Sequence, residues 1–191
     1  DRHIIEQICE VYGINDPKLK CELYLTEGEK QVASIVGEAF SSGKYIVIEP
    51  QSNDEYSCNK VYPIEKWQKV ADDLNNMGLN VVQVGRKTDS KKLKGVSDLT
   101  GQTSFRGASA IIANADLFVS SEGGLMHAAN AVQTKSVIVY SGFISPVMTG
   151  YSENTNIWVG KDHGPCGMKS KCDKCHSAMS KHSSDEIVEA V

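Results

Sequence analysis

Ser120–Ala131 reads "SSEGGLMHAANA" and follows the apolar run "ADLFV" (Ala115–Val119). The run before it is short and apolar, as in a buried strand, whereas the alanine-rich run after it has the composition of a helix. An acid and two glycines occupy the junction. A strand that hands over to a helix within a few residues is half of a β-α-β unit, and this one sets the register for reading the rest of the chain.

The same alternation recurs on both sides. "HIIEQICEVYGI" (residues 3–14) has apolar residues at helical spacing with Gly13 as a stop, and "TEGEKQVASIVGEAF" (residues 26–40) is a second helix. Thr26 and Glu29 form the capping box of that second helix. "YIVIEP" reads as a strand closed by Pro50. "PIEKWQKVADDLNNMG" is a helix opened by Pro63 in its first turn and closed by Gly78. "NVVQVG" is the second strand, and a short helical piece is expected near "DSKKLK" (residues 89–94). "TSFRGASAIIANA" is the next crossover helix, "DLFVSS" the third strand, "GLMHAANAV" a helix and "SVIVYS" the fourth strand. Short apolar strands alternating with amphipathic helices imply an α/β fold with a doubly wound parallel sheet. In such a sheet ligands bind beyond the carboxyl ends of the strands, so the loops after Ile48, Val84, Val119 and Tyr140 are the ones to search.

The composition narrows the function. At 191 residues with 40% hydrophobic content the chain can bury a core, and its formal net charge of -4 argues against a broad basic surface and hence against nucleic acid as a partner. No run approaches the roughly 20 apolar residues of a membrane span, and "DRHIIEQICE" lacks the order of a signal peptide, so a cytoplasmic protein is expected. The sequence opens on Asp1 rather than Met, which suggests a piece of something longer. Residues 1–160 carry the alternating pattern, and 161–191 form a Cys- and Lys-rich tail ending in a short helix.

Gly123 and Gly124 would leave the first amides of a helix bare, and bare amides at a helix amino end attract anions. Glu122 beside them would repel a free phosphate but can accept hydrogen bonds from sugar hydroxyls. His127 sits one turn further on, looking back at the same mouth. The other reading of this loop is a glycine-softened turn with a core histidine. In the loop after the first strand, Ser52, Asn53 and Lys60 precede a helix. Lys60 alone reads as a surface residue, but paired with the double glycine it would be a counter-charge across the same crevice.

These residues resemble the C-terminal domain of family 9 glycosyltransferases, the ADP-heptose:lipopolysaccharide heptosyltransferases. The likeness rests on "IEPQSN" followed by Lys60-Val61-Tyr62-Pro63, on "VVQVGRKTD", and on Glu122-Gly123-Gly124-Leu125-Met126-His127-Ala128-Ala129. It implies a Rossmann-like half of a two-domain GT-B enzyme that transfers a sugar with inversion and needs no divalent metal at the diphosphate. It further implies that Ser52 and Lys60 touch the diphosphate of an ADP-heptose-like donor, that Gly123 and Gly124 offer it amides, that Glu122 and His127 lie at the sugar-phosphate end, and that Asp89 contacts the ribose. The catalytic base would belong to a missing N-terminal acceptor domain, and the full enzyme would act on a cell-envelope or protein-linked acceptor, as in lipopolysaccharide biosynthesis, at the membrane periphery. The sequence departs from the family pattern where Glu122 replaces an aspartate, Gly123 a hydroxyl residue and Gln51 a glycine, changes that bear on which sugar fits. The competing function is a non-catalytic nucleotide- or metal-binding module on the same fold.

The tail sequence "HGPCGMKSKCDKCH" places Cys166, Cys172 and Cys175 beside His176, with His163 and His182 nearby. Thiolates and imidazoles at this spacing can hold a structural zinc or iron, with reduced thiols as the alternative. Cys58 is a candidate fourth ligand.

Overall fold

The structure is a computed structural model and describes residues 2–51, 55–87 and 91–191. After two helices, α1 (Ile4–Val11) and α2 (Glu27–Glu38), the chain runs β1 (Ile46–Glu49), α3 (Ile64–Asn76), β2 (Val81–Gln83), β3 (Ser97–Asp98), α4 (Phe105–Ala113), β4 (Leu117–Ser121), α5 (Gly124–Ala131) and β5 (Ser136–Tyr140). A single turn, α6 (Pro146–Thr149), leads to β6 (Thr155–Trp158), and α7 (Asp173–Lys181) and α8 (Asp185–Glu189) complete the chain. The strands form one sheet, every pairing in it parallel, in the order β3-β2-β1-β4-β5-β6.

Period-two alternation explains why both faces are covered. Val47, Phe118 and Ile138 point to one side, where they pack with Ile111 and Ile112 of α4 and Met126 and Ala129 of α5. Ile46, Ile48, Val119, Val137 and Val139 point to the other, against Trp67, Val70, Ala71 and Leu74 of α3. Met179 of α7 and Ile187 of α8 join this second cluster, so the polar tail supplies its few apolar side chains to the core. Lys66 of α3 donates to the carbonyls of Met179, Ser180 and His182, satisfying the carboxyl end of α7 with a cation.

The local signals act as chemistry requires. Thr26 caps α2 with Glu29 closing the box, and Gly13 ends α1 with φ +68°, the left-handed conformation that favours glycine. Pro63 stands at the cap position of α3, one residue before the helix proper. The helical piece expected near "DSKKLK" is corrected: Lys91–Lys94, its described part, is not helical. The side chain of Gln83 donates to Lys91 O and accepts from Leu93 N, both at 2.8 Å, taking the backbone groups that a helical turn would use. The sheet also has two more strands than the four read from sequence. Both are edge strands, β3 only two residues long and β6 half polar, so neither carries the apolar run that marks a buried strand.

Candidate functional site

The sheet order changes direction between β1 and β4, the place where parallel sheets open a crevice at their carboxyl edge. Glu49 at the end of β1 lies in register with Ser120, so Glu122 and the two glycines follow directly above it. A cavity of about 500 Å³ opens there, and Lys60, Glu122, Gly123, Gly124 and His127 all line it. A neighbouring lobe of about 370 Å³ runs over Gly85, Lys87, Gly101 and Ser104, and the two share Glu49, Arg86, Phe105 and Leu125. Ser52 and Asp89 lie outside the described residues.

The double glycine can be judged on geometry. Gly123 has φ 174°, extended backbone open to any residue, and Gly124 shows no positive φ. A Cβ added at Gly123 would meet nothing nearer than 3.8 Å, and one at Gly124 nothing nearer than 3.9 Å. Neither the backbone nor the packing of the fold calls for glycine here. What the missing side chains do is leave the amino end of α5, which has no side-chain cap, open to the cavity.

Lys60 sits in a 3-10 turn (Cys58–Lys60) and turns its ammonium into the same space, 2.5 Å from Glu122 Oε2, with both side chains about 10% exposed. It also lies 5.8 Å from the ring centroids of Tyr56 and Phe143. Glu122 Oε2 is buried and meets no partner with hydrogen-bond geometry, so its satisfaction rests on this ion pair. His127 Nδ1 is 2.6 Å from the Tyr151 hydroxyl, which is itself 3.0 Å from Cys21 Sγ. Burial holds the His127 pKa below its ordinary value, against the opposing pull of Glu122, so the ring is neutral at pH 7.

Sequence reading did not single out Glu49, Arg86 or Phe105. Burial raises the Glu49 carboxyl to about 8, although Arg86 and Lys60 pull it down, so it is largely protonated at neutral pH. Arg86 lies in the loop after β2, past Val84 and Gly85, a position the topology rule marks, but no motif distinguishes it from a surface cation. Gln51 is buried and donates through Nε2 to Arg86 O at 2.8 Å, tying the loops after β1 and β2 together.

A separate cluster stands in the tail. The Sγ atoms of Cys166, Cys172 and Cys175 all lie within 4.8 Å of one another, and Cys166 and Cys175 are 3.5 Å apart. Cys172 precedes α7, and the Cys175 amide leads the hydrogen bonds that hold the Cys172 thiol pKa below its usual value.

Another cavity, about 510 Å³, lies at the opposite edge of the sheet around Tyr45, Leu79 and Asp116. Lys44, Lys135 and Asp116 line it, and it lies at the amino ends of the strands, away from the loop edge where parallel sheets bind ligands.

The profile of glycosyltransferase family 9 (heptosyltransferase) matches residues 2–177, and the chain belongs to that family. No curated protein matches the sequence. Among solved structures, the family 9 glycosyl transferase from Veillonella parvula DSM 2008 is similar with a TM-score of 0.74 at 17% identity, covering 99% of this chain and 59% of that one. E. coli ADP-heptose lps heptosyltransferase II gives 0.65 at 20% identity over 88% of this chain and 51% of its own. The iron-containing dodecameric glycosyltransferase TibC from enterotoxigenic E. coli H10407 gives 0.63 at 17%, covering 77% and 44%. The chain thus spans about half the length of the solved relatives it matches. Among the described residues no helix is long and apolar enough to cross a membrane.

Proposed function

We propose that the cleft binds the diphosphate of an ADP-sugar and that the chain is the donor-binding half of an inverting, heptosyltransferase-like enzyme. The observation that carries this reading is the uncapped amino end of α5, opened by two glycines the fold does not require, facing Lys60 across one cavity. The helix dipole and bare amides supply fixed positive potential, and Lys60 supplies a mobile charge. Both act where charge develops as the sugar departs and the nucleotide leaves as a diphosphate.

The free site is internally neutralised, because Lys60 is held by Glu122. An arriving diphosphate competes for the ammonium, and the released Glu122 carboxylate can turn to the hydroxyls of the sugar. His127, neutral and anchored through Tyr151, presents a ring that binds without adding charge. Glu49, protonated at neutral pH, can donate a hydrogen bond to a phosphate oxygen that a carboxylate would repel. The neighbouring lobe, floored by Phe105 and Leu125, suits an apolar-faced base with its ribose, and Ser52 and Asp89 are the residues the family pattern assigns to diphosphate and ribose. The acceptor and the catalytic base belong on this reading to an N-terminal domain, with residues 1–160 as the nucleotide-sugar unit and 161–191 as its tail. The likeness to E. coli ADP-heptose lps heptosyltransferase II supports an ADP-heptose-like donor. Support for a structural metal at Cys166, Cys172 and Cys175 comes from the cluster itself and from the iron-containing relative.

Titration calorimetry against ADP, ADP-sugars, GDP-sugars and UDP-sugars tests the proposal. Preference for ADP-sugars is expected, and a cleft indifferent to every nucleotide sugar would leave only a binding or structural module on this fold.

A further inference from the structure

Three thiols do not complete a four-coordinate site, and the fold places one more donor beside them. His163 Nε2 is buried and has no hydrogen-bond partner. A Cβ built on Gly142 would collide with His163 Nε2 and lie 3.0 Å from Cys175 Sγ, so the two atoms flank the same small space. The backbone crossing that creates this arrangement depends on three glycines. A Cβ at Gly160 would overlap the backbone of Gly142, and one at Gly164 would come within 2.8 Å of Gly142 O. Without those side chains the loop after β5 and the loop after β6 touch backbone to backbone, with Cys166 N donating to Gly142 O at 2.7 Å. That contact sets His163 and Cys166 over the start of α7, which carries Cys175.

The distances suit one ion. Tetrahedral coordination with metal–sulfur bonds of about 2.3 Å puts the sulfurs roughly 3.8 Å apart. The observed separations run from 3.5 Å for Cys166 and Cys175 to at most 4.8 Å across the cluster. The other candidates fit less well. His176 Nε2 is also buried without a partner, but His176 follows Cys175 directly on α7, and adjacent residues of a helix do not share a face. The Cys58 thiol lies 3.9 Å from Asn59 Oδ1, whereas His163 Nε2, although like Cys58 outside the group of sulfurs within 4.8 Å of one another, flanks the same space as Cys175 Sγ.

Asn59 links this cluster to the cleft. Its Nδ2 donates to Met168 O at 2.6 Å and Ser170 O at 2.8 Å, and its Oδ1 accepts from Cys172 N at 2.7 Å. Ser57 Oγ donates to Met168 O as well, at 3.2 Å. The 3-10 turn that carries Lys60 is thus hung from the segment between Cys166 and Cys172.

We propose that Cys166, Cys172, Cys175 and His163 form one Cys3His site for a single zinc or ferrous ion, and that this site holds Lys60 at the cleft through Asn59. The first half stands on the cluster alone, and the second rests on the donor-site reading. The ion's role is structural: three thiolates and a neutral imidazole leave no open position, and closing the loop of residues 163–175 removes freedom from the segment that positions Lys60.

The test uses the full chain prepared without a polyhistidine tag. Elemental analysis should find one zinc or iron per chain and decides which. Replacing that ion with cobalt should give the absorption of three thiolates and one nitrogen. In His163→Cys one ion per chain should remain while the cobalt bands move to the four-thiolate pattern, and in His163→Ala cobalt affinity should fall at least tenfold. An unchanged cobalt spectrum in His163→Cys would remove His163 from the site, and metal-free protein with freely alkylated thiols or a Cys166–Cys175 disulfide would overturn the site itself. For the link, chelation should weaken ADP binding at least fivefold, and Asn59→Ala should do the same while keeping one ion per chain. Undiminished ADP affinity after chelation would refute the link. Metal-loaded protein that never binds ADP would overturn the donor reading and the link with it, leaving the metal site standing.

Discussion

Gly124→Ala separates a ligand-binding role for the double glycine from a packing role. Gly124 is the first residue of α5, shows no positive φ, and an added Cβ finds Phe105 no nearer than 3.9 Å. Alanine is better than glycine in a helix by up to about 1 kcal/mol and also restricts the unfolded chain, so folding stability should rise by about 0.5 kcal/mol at this terminal position. The new methyl group stands in the cavity, over the amides that a diphosphate would approach. Losing one charge-assisted hydrogen bond there costs about 1.5 to 3 kcal/mol, which is roughly a 10- to 150-fold loss of affinity. Urea unfolding and ADP titration on the same preparation read both quantities. A variant that is less stable yet binds ADP normally would refute the reasoning, since that is the signature of glycines kept for helix–strand packing.

Other predictions follow from the charges in the cleft. Glu122→Gln frees Lys60 from its ion pair, so ADP should bind several-fold tighter while the preference for ADP-sugar over ADP shrinks; equal affinities in both proteins would show that the pair does not gate the site. Lys60→Met should weaken ADP binding more than tenfold and, by stranding Glu122, lower stability by roughly 1 to 3 kcal/mol, less than for a sealed ion pair because the cavity admits water. Adding Glu122→Gln to that variant should restore stability without affinity, and recovery of both would refute a phosphate-binding role for Lys60. Glu49 has a folded pKa of about 8 against an ordinary 4.5, so between those values the folded state holds the extra proton. The stability it contributes is full below about pH 4.5 and lost as pH rises through about 8, at up to about 1.4 kcal/mol per pH unit. Glu49→Gln should flatten that fall and be the more stable protein at pH 8; parallel pH profiles of wild type and variant would show that Glu49 is ionised in the fold.

The central strands, the crossover helices and the capping box of α2 were legible because each is written in local pattern: apolar runs at β1, β4 and β5, helical spacing in α3, and Thr26 with Glu29. The edge strands were not, since Thr155–Trp158 and Ser97–Asp98 acquire strand geometry only by pairing with β5 and β2. The non-helical path of Lys91–Lys94 depends on the Gln83 side chain, a tertiary contact that no local propensity encodes. At the site, the loop pattern placed Lys60, Glu122, Gly123, Gly124 and His127 on one cavity, but the Lys60–Glu122 pairing could not be read, because nothing in sequence says which of two facing loops a long side chain will cross. Glu49 was passed over for a related reason: as the last residue of an apolar strand it looks like a solvated end, and only the closure of the cleft above it raises its pKa. The tail pattern offered His163 as one of several histidines, and only the Gly142, Gly160 and Gly164 crossing, which joins loops after different strands, singles it out.

The most direct test of the account is to follow backbone amide resonances while ADP-sugar is added to isotopically labelled protein. The account predicts that the largest shifts fall on the amides of Gly123, Gly124 and Leu125 at the amino end of α5, with smaller ones around Lys60 and Arg86. Shifts centred instead on Tyr45, Leu79 and Asp116 at the opposite edge of the sheet, with the α5 amides unmoved, would contradict it.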